Sequence, residues 1–325
     1  MPAPFRRPLR AGALARWFLG FPGYLWPWNL LYFAIALGAW LALTPSLATM
    51  QTLEPGWIGY ILARNVVITS VFFGAWHLYF YVVKAQGKAF KYTERPPATD
   101  SKLFLFGNQV RDNIFWTLAS GVTIWTAYEV LMLWAYANGW LLYVDWETSP
   151  VWFVVLLLLI PVFREAHFYV VHRVSHWRPL YDHAHYLHHR NVNVNPWSGM
   201  SMHPIEHLLY FSGPLIHLVL PSHPLHVLFH LFHTGLSPAK GHCGFERIVA
   251  GERSLVCGNW FHYLHHTHFE CNYGSDSVPV LDKIFGSFHD GSPEADARLK
   301  EKRLARLRAM RGASPAAGGE LEGAA

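Results

Sequence analysis

The chain has 325 residues, 52% hydrophobic and only 14% charged, which is too apolar a balance for an ordinary soluble domain. A net charge of +5 without any long Lys/Arg block excludes a nucleic-acid footprint. Three cysteines, Cys243, Cys257 and Cys271, make no disulfide framework and fit a reducing compartment.

In chain order, residues 1–24 form a basic segment carrying Arg6, Arg7, Arg10 and Arg16. It holds no short apolar core ending at a small-residue cleavage site, so no cleavable signal is expected. Four apolar stretches then occupy 25–163: 28–43, 57–83, 114–137 and 150–163. The first three approach or exceed the roughly 20 residues a helix needs to cross a bilayer. The fourth is short and is expected to continue as helix into the polar segment beyond it. All four read as helices, because lipid offers no partner to open strand edges. Arg64, His77 and Glu129 interrupt these runs; Arg64 and Glu129 are expected to pair, to line a cavity or to sit at the interface.

Loop charges give the orientation. Lys84, Lys88, Lys91, Arg95, Lys102 and Arg111 lie between the second and third stretches. Between the third and fourth lie Asp145 and Glu147, with no Lys or Arg. The excess of positive charge places the N-terminus and the 84–112 loop in the cytoplasm, and four spans return the chain to that side. The expected architecture is all-α: a helical bundle of about four spans with a cytoplasmic, histidine-rich helical cap.

That cap, 164–289, contains 20 of the 21 histidines. A single buried histidine is usually a satisfied core residue. Several packed together cost desolvation and repulsion unless something holds them, and a metal does so by taking neutral imidazole as ligand. In "EAHFYVVHRVSH" (165–176), His172 and His176 share a helix face with Glu165, whereas His167 points elsewhere. "HYLHH" supplies His185, His188 and His189, and "HYLHH" recurs as His262, His265 and His266. An i, i+3, i+4 set puts three imidazoles on one side of a helix, able to reach one or two ions. Eight such rings exceed one ion's needs. The cysteines lack zinc-site spacing and no H-E-x-x-H helix is present. Haem would use only one or two of these rings, so two irons handling O2 is the preferred reading.

The stretches "EAHFYVVHRVSH", "HAHYLHH", "MHPIEH", "HCGFE" and "HYLHHTHFECNYGSDSVPVLDKIFGSF" resemble the fatty acid hydroxylase/sterol desaturase superfamily of integral-membrane di-iron oxygenases. The resemblance covers roughly 160–288. It implies that His172, His176, His185, His188, His189, His262, His265 and His266 ligate two iron ions, with zinc as a possible substitute, and it adds His242 of "HCGFE" as a ninth ligand. Glu165 stands where the family usually has Asp, and its carboxylate is expected to orient a ligand from behind. His223, His226, His230 and His233 step along one helix face, either lining the approach to the metals, with His233 as a tenth ligand, or forming a polar seam between helices. His203 of "MHPIEH" is expected at or near the site, and His268 behind it or facing solvent. Asn272, Tyr273, Gly274 and Asp282 are expected to shape a closing turn.

The implied reaction is hydroxylation of a membrane lipid with O2, with desaturation as the alternative within the same class. The chain carries no haem domain, Rossmann fingerprint or iron–sulfur cysteine set, so a separate ferredoxin or cytochrome b5-type donor with its reductase is expected on the cytoplasmic face. A histidine-rich metal transporter is the distant rival; it would place its histidines within the spans. Beyond 290, "EADARLKEKRLARLRAM" reads as a charged helix able to lie on a membrane surface, followed by a Gly/Ala-rich disordered tail.

Overall fold

The computed structural model describes residues 8, 10–274 and 279–312; part of the expected tail lies outside them. Its helices are α1 (Ala11–Leu19), α2 (Leu25–Leu43), α3 (Pro55–Val82), α4 (Gln109–Ala137) and α5 (Pro150–Ser175). There follow α6 (178–189), α7 (Pro204–Tyr210) and α8 (Pro224–Gly241). A hairpin, β1 (Arg247–Ala250) and β2 (Arg253–Val256), precedes α9 (Trp260–His268), α10 (Val280–Ile284) and α11 (Pro293–Gly312). The hairpin, paired Arg247↔Val256 to Ala250↔Arg253, is the one departure from an all-helical reading among the described residues.

Helices α2 to α5 are long and apolar enough to cross a membrane, as a multi-pass protein requires. Each of the first three begins slightly earlier than its apolar run, because polar or proline-bearing turns still propagate helix at the bilayer edge. Prolines at the first turn start α3, α5, α7 and α8, where a missing N–H costs nothing. Helix α5 is the one that builds the site. At 26 residues it runs about 39 Å, longer than the roughly 30 Å hydrocarbon core, so its last turns carry "EAHFYVVHRVS" past the apolar stretch.

The bundle closes around α8, which packs against α2, α3, α4 and α5 and is buried along most of its length. Phe232 of α8 meets Trp125 of α4 edge to face, and Trp125 stacks in turn on Phe211. Arg64 and Glu129 are both buried and bond to each other across α3 and α4, which settles their pairing. Asn65 donates to the second Glu129 oxygen at 2.9 Å, and Arg64 donates to Thr44 at 2.9 Å. A buried charge pair is tolerable only with such further hydrogen bonds.

The histidines of the α8 stripe bond to neighbouring elements and, at His223, to their own helix start. His226 donates to the Phe153 carbonyl of α5 at 2.9 Å, and His230 meets His217 at 3.3 Å. His233 donates to Asn29 of α2 at 2.9 Å, and His223 accepts the Leu225 N–H that opens the helix.

Candidate metal centre

Four segments bring their imidazoles to one place: the end of α5, the end of α6, α9, and His242 just past the end of α8. Successive residues in an α-helix turn by about 100°, so i and i+4 lie roughly 40° apart while i+3 falls about 60° to the other side. Each H-x-x-H-H copy therefore splits. His185 and His189 point one way and His188 the other; His262 and His266 point one way and His265 the other. The result is two groups that share both helices. His172, His176, His185, His189 and His265 form the first, and His188, His242, His262 and His266 the second. Within each group one nitrogen per ring lies within 4.8 Å of every other. All nine histidines expected as ligands are in these groups, and His233 and His203 are in neither.

The nitrogens face each other at short range. His176 Nε2 lies 3.0 Å from His185 Nε2 and 3.1 Å from both His189 Nε2 and His265 Nε2. His189 and His265 are also 3.1 Å apart. In the second group His242 Nε2 is 3.0 Å from His262 Nε2 and 3.2 Å from His266 Nε2. The other ring nitrogen is held by an acceptor in five cases. His172 Nδ1 donates to the Tyr273 carbonyl at 2.7 Å and His265 Nδ1 to the Cys271 carbonyl at 2.5 Å. His185 Nδ1 donates to Glu206 at 2.7 Å. His188 and His242 donate to the carbonyls of Ser201 and Pro238 at 3.3 and 3.2 Å. His172 Nε2 has no hydrogen-bond partner. In these five rings a proton on Nδ1 leaves the Nε2 lone pair free to ligate a cation.

The spacing fits one. Metal–imidazole bonds of about 2.0–2.1 Å hold neighbouring donor atoms roughly 2.8–3.4 Å apart. Burial favours the neutral, ligating form of every ring: His188 is brought down to about 4 and His176 to about 2, mainly by desolvation. Desolvation also takes His185, His189, His242, His262, His265 and His266 well below the usual histidine range, and neighbouring rings push the same way. No cysteine enters either group. Cys243 and Cys257 pack 3.8 Å apart, both buried, with Cys243 donating to the Phe245 carbonyl.

The surroundings revise several expectations. Glu206 is the carboxylate seen to bond a clustered histidine. Glu165 pairs with Arg164 at 2.7 Å, two turns from His172, because the α5 register carries it to a cavity wall instead. Burial pushes the Glu206 carboxyl well above its usual range, a penalty that a cation on His185 would offset. Glu206 is the only carboxylate in "MHPIEH", a signal that the histidine spacing does not flag. In the same motif His203 accepts the Ile205 N–H and caps α7, while His207 meets Ser120 Oγ at 2.9 Å and the Met200 carbonyl at 3.2 Å.

The closing turn does more than close. Asp282 accepts the N–H groups of Tyr273 and Gly274 at 2.9 and 2.8 Å, and Ser287 donates to it at 2.7 Å. That clamp fixes the Tyr273 carbonyl against His172. His268 lies outside both groups, stacked on His289 with ring centroids 4.9 Å apart, and both rings approach Asp296 of α11.

One face of the second group opens into a cavity of about 410 Å³, lined at that end by His188, His242 and His262. Trp28, Tyr32, Arg164 and Tyr210 line the rest of it. A second, apolar cavity of about 210 Å³ shares Tyr24, Asn29 and Pro161 with the first and runs between α2 and α5.

Residues 155–287 match the family model described as fatty acid hydroxylase. A Delta(7)-sterol 5(6)-desaturase of Gibberella zeae is 25% identical over 162 residues, covering 45% of each chain. A putative Delta(7)-sterol-C5(6)-desaturase of Arabidopsis thaliana is 26% identical over 253 residues, 76% of this chain and 84% of that protein. Methylsterol monooxygenase 1 of Gallus gallus is 29% identical over 149 residues, 44% of this chain and 50% of that protein. The chain thus spans about half the length of the first and third of these relatives. No solved structure matches it.

Proposed function

We propose that the chain, which matches the fatty acid hydroxylase family model over residues 155–287, is a membrane di-iron oxygenase that hydroxylates a lipid C–H bond. The observation that carries this reading is the double cluster: nine imidazoles, eight of them buried and five with Nδ1 tied to acceptors, converging on two common points. His172, His176, His185, His189 and His265 would hold one iron, and His188, His242, His262 and His266 the other. Iron supplies the activation of O2 that side chains cannot perform.

The chain's own residues bind, orient and exclude. Carbonyl and carboxylate partners lock five of the imidazoles, so that those donor atoms need little reorganisation. The cavity brings a lipid beside His188, His242 and His262, and its Trp and Tyr walls keep bulk water away. The apolar cavity between α2 and α5 is suited to entry from the bilayer. By the loop charges, the N-terminus and the clusters face the cytoplasm, where a ferredoxin or cytochrome b5-type donor would dock.

Desaturation is the second reading, favoured by the two relatives named as sterol desaturases. Expression in a host followed by lipid mass spectrometry distinguishes the outcomes. A product heavier by one oxygen marks hydroxylation, and one lighter by two hydrogens marks desaturation. His265→Ala should abolish both bound metal and product. Unchanged lipids together with altered metal uptake would reject the oxygenase in favour of transport.

A further inference from the structure

The large cavity has a polar end that neither metal group uses. Four buried or half-buried polar atoms on its wall lack any hydrogen-bond partner: Tyr32 Oη, Arg164 Nε, His233 Nδ1 and Ser237 Oγ. Tyr32, Arg164 and His233 are each more than nine-tenths buried. Tyr32 and His233 meet edge to face, with ring centroids 5.0 Å apart. Ser237 follows His233 by one helical turn on α8 and so shares its face. Unpaired buried polar atoms are costly, and four on residues lining one cavity point to a polar occupant.

Their donor and acceptor roles can be worked out. Asn29 Nδ2 donates to the Tyr24 carbonyl at 2.8 Å, which orients its amide and leaves Oδ1 as the acceptor for His233 Nε2–H at 2.9 Å. With its proton on Nε2, His233, which lines the cavity, keeps Nδ1 as an acceptor. Arg164 is held by Glu165 at 2.7 Å and Tyr210 at 2.6 Å, so Nε–H is a fixed donor. Tyr32 and Ser237 can play either part. The wall therefore offers one obligatory donor, one obligatory acceptor and two adaptable hydroxyls. A ligand hydroxyl matches this set, since it donates to His233 while accepting from Arg164 or Tyr32. A carboxylate, ketone or ether can only accept, and each would set a lone pair against His233 Nδ1.

We propose that this wall is a specificity subsite for the alcohol group of an amphipathic lipid, whose apolar body passes the second metal group. The proposal rests on the oxygenase reading for the identity of the occupant as substrate. A long-chain alcohol and a sterol present the same chemistry, and the apolar cavity alongside accepts either body.

The test uses the full-length protein in nanodiscs, with radiolabelled hexadecan-1-ol and cholesterol each competed by its own methyl ether. At least one of the two alcohols should bind about ten-fold tighter than its ether, the worth of one hydrogen bond to a buried group. The alcohol that does so identifies the body. Tyr32→Phe and Ser237→Ala remove only oxygens, and His233→Gln removes the acceptor while keeping bulk. Together they should bring the preference close to unity while the ether binds as before. Equal binding of alcohol and ether to the unaltered protein, or a preference untouched by the three substitutions, overturns the subsite. If that happens while lipid is still oxidised, the oxygenase reading stands alone. If the alcohol preference persists in a protein that oxidises no lipid, the subsite stands and the oxygenase reading falls.

Discussion

The bond between His185 Nδ1 and Glu206 shows how one carboxylate can govern a cluster. It fixes the tautomer, aims Nε2 at His176, and turns a titratable ring into a dedicated donor. Glu206→Gln keeps the shape but weakens the acceptor, so metal affinity should fall about 10- to 100-fold. Metal content after dialysis against a graded chelator measures this, and an unchanged release curve would rule out the orienting role. Glu165→Gln should leave that curve in place, since Glu165 pairs with Arg164. Glu206 is legible in the sequence only as one glutamate among many. Nothing in its spacing says that α7 will lie across α6. The carbonyls of Tyr273, Cys271, Ser201 and Pro238 are harder still, because every residue has one.

Elements carry the charges that spacing could only flag. Arg64 and Glu129 each looked anomalous inside an apolar run, and their partnership needed α3 and α4 side by side. Removing one partner strands the other's charge in the interior. Glu129→Ala should therefore cost about 3–5 kcal/mol of stability, seen as a lowered unfolding midpoint in detergent. A loss below about 1 kcal/mol would mean that water reaches Arg64. The α8 stripe makes the same point from the other side. Its three-four-three spacing showed a polar face but not its purpose, because interhelical hydrogen bonds and metal ligation require the same periodicity. The partners Phe153, His217 and Asn29 come from distant parts of the chain.

At the scale of the whole molecule, burial of two imidazole groups couples stability to pH. An unfolded histidine titrates near 6.5, whereas His188 is held to about 4 and His176 to about 2. Between these values the unfolded chain binds more protons, so stability falls as pH falls. The metal-free protein should keep its full unfolding midpoint above about pH 7 and lose it progressively from about 6.5 to about 4. The metal-loaded protein should shed its ions in the same window, because ligands must be deprotonated. A midpoint that is flat from pH 7.5 to 4.5 would contradict buried neutral clusters.

What the sequence determined by itself was whatever repeats locally. Apolar runs long enough to span, the continuation of the fourth run into helix, and the i, i+3, i+4 histidine sets all follow from helical geometry within one segment. That geometry puts each set of three imidazoles on one side of its helix, without deciding which ring joins which ion. The tertiary structure decided which separated segments meet: that α5, α6 and α9 converge, that Glu206 stands behind His185, and that His233 turns to Asn29 rather than to the clusters. Local rules fix the direction in which a side chain points, but the packing of distant helices decides what stands there to receive it.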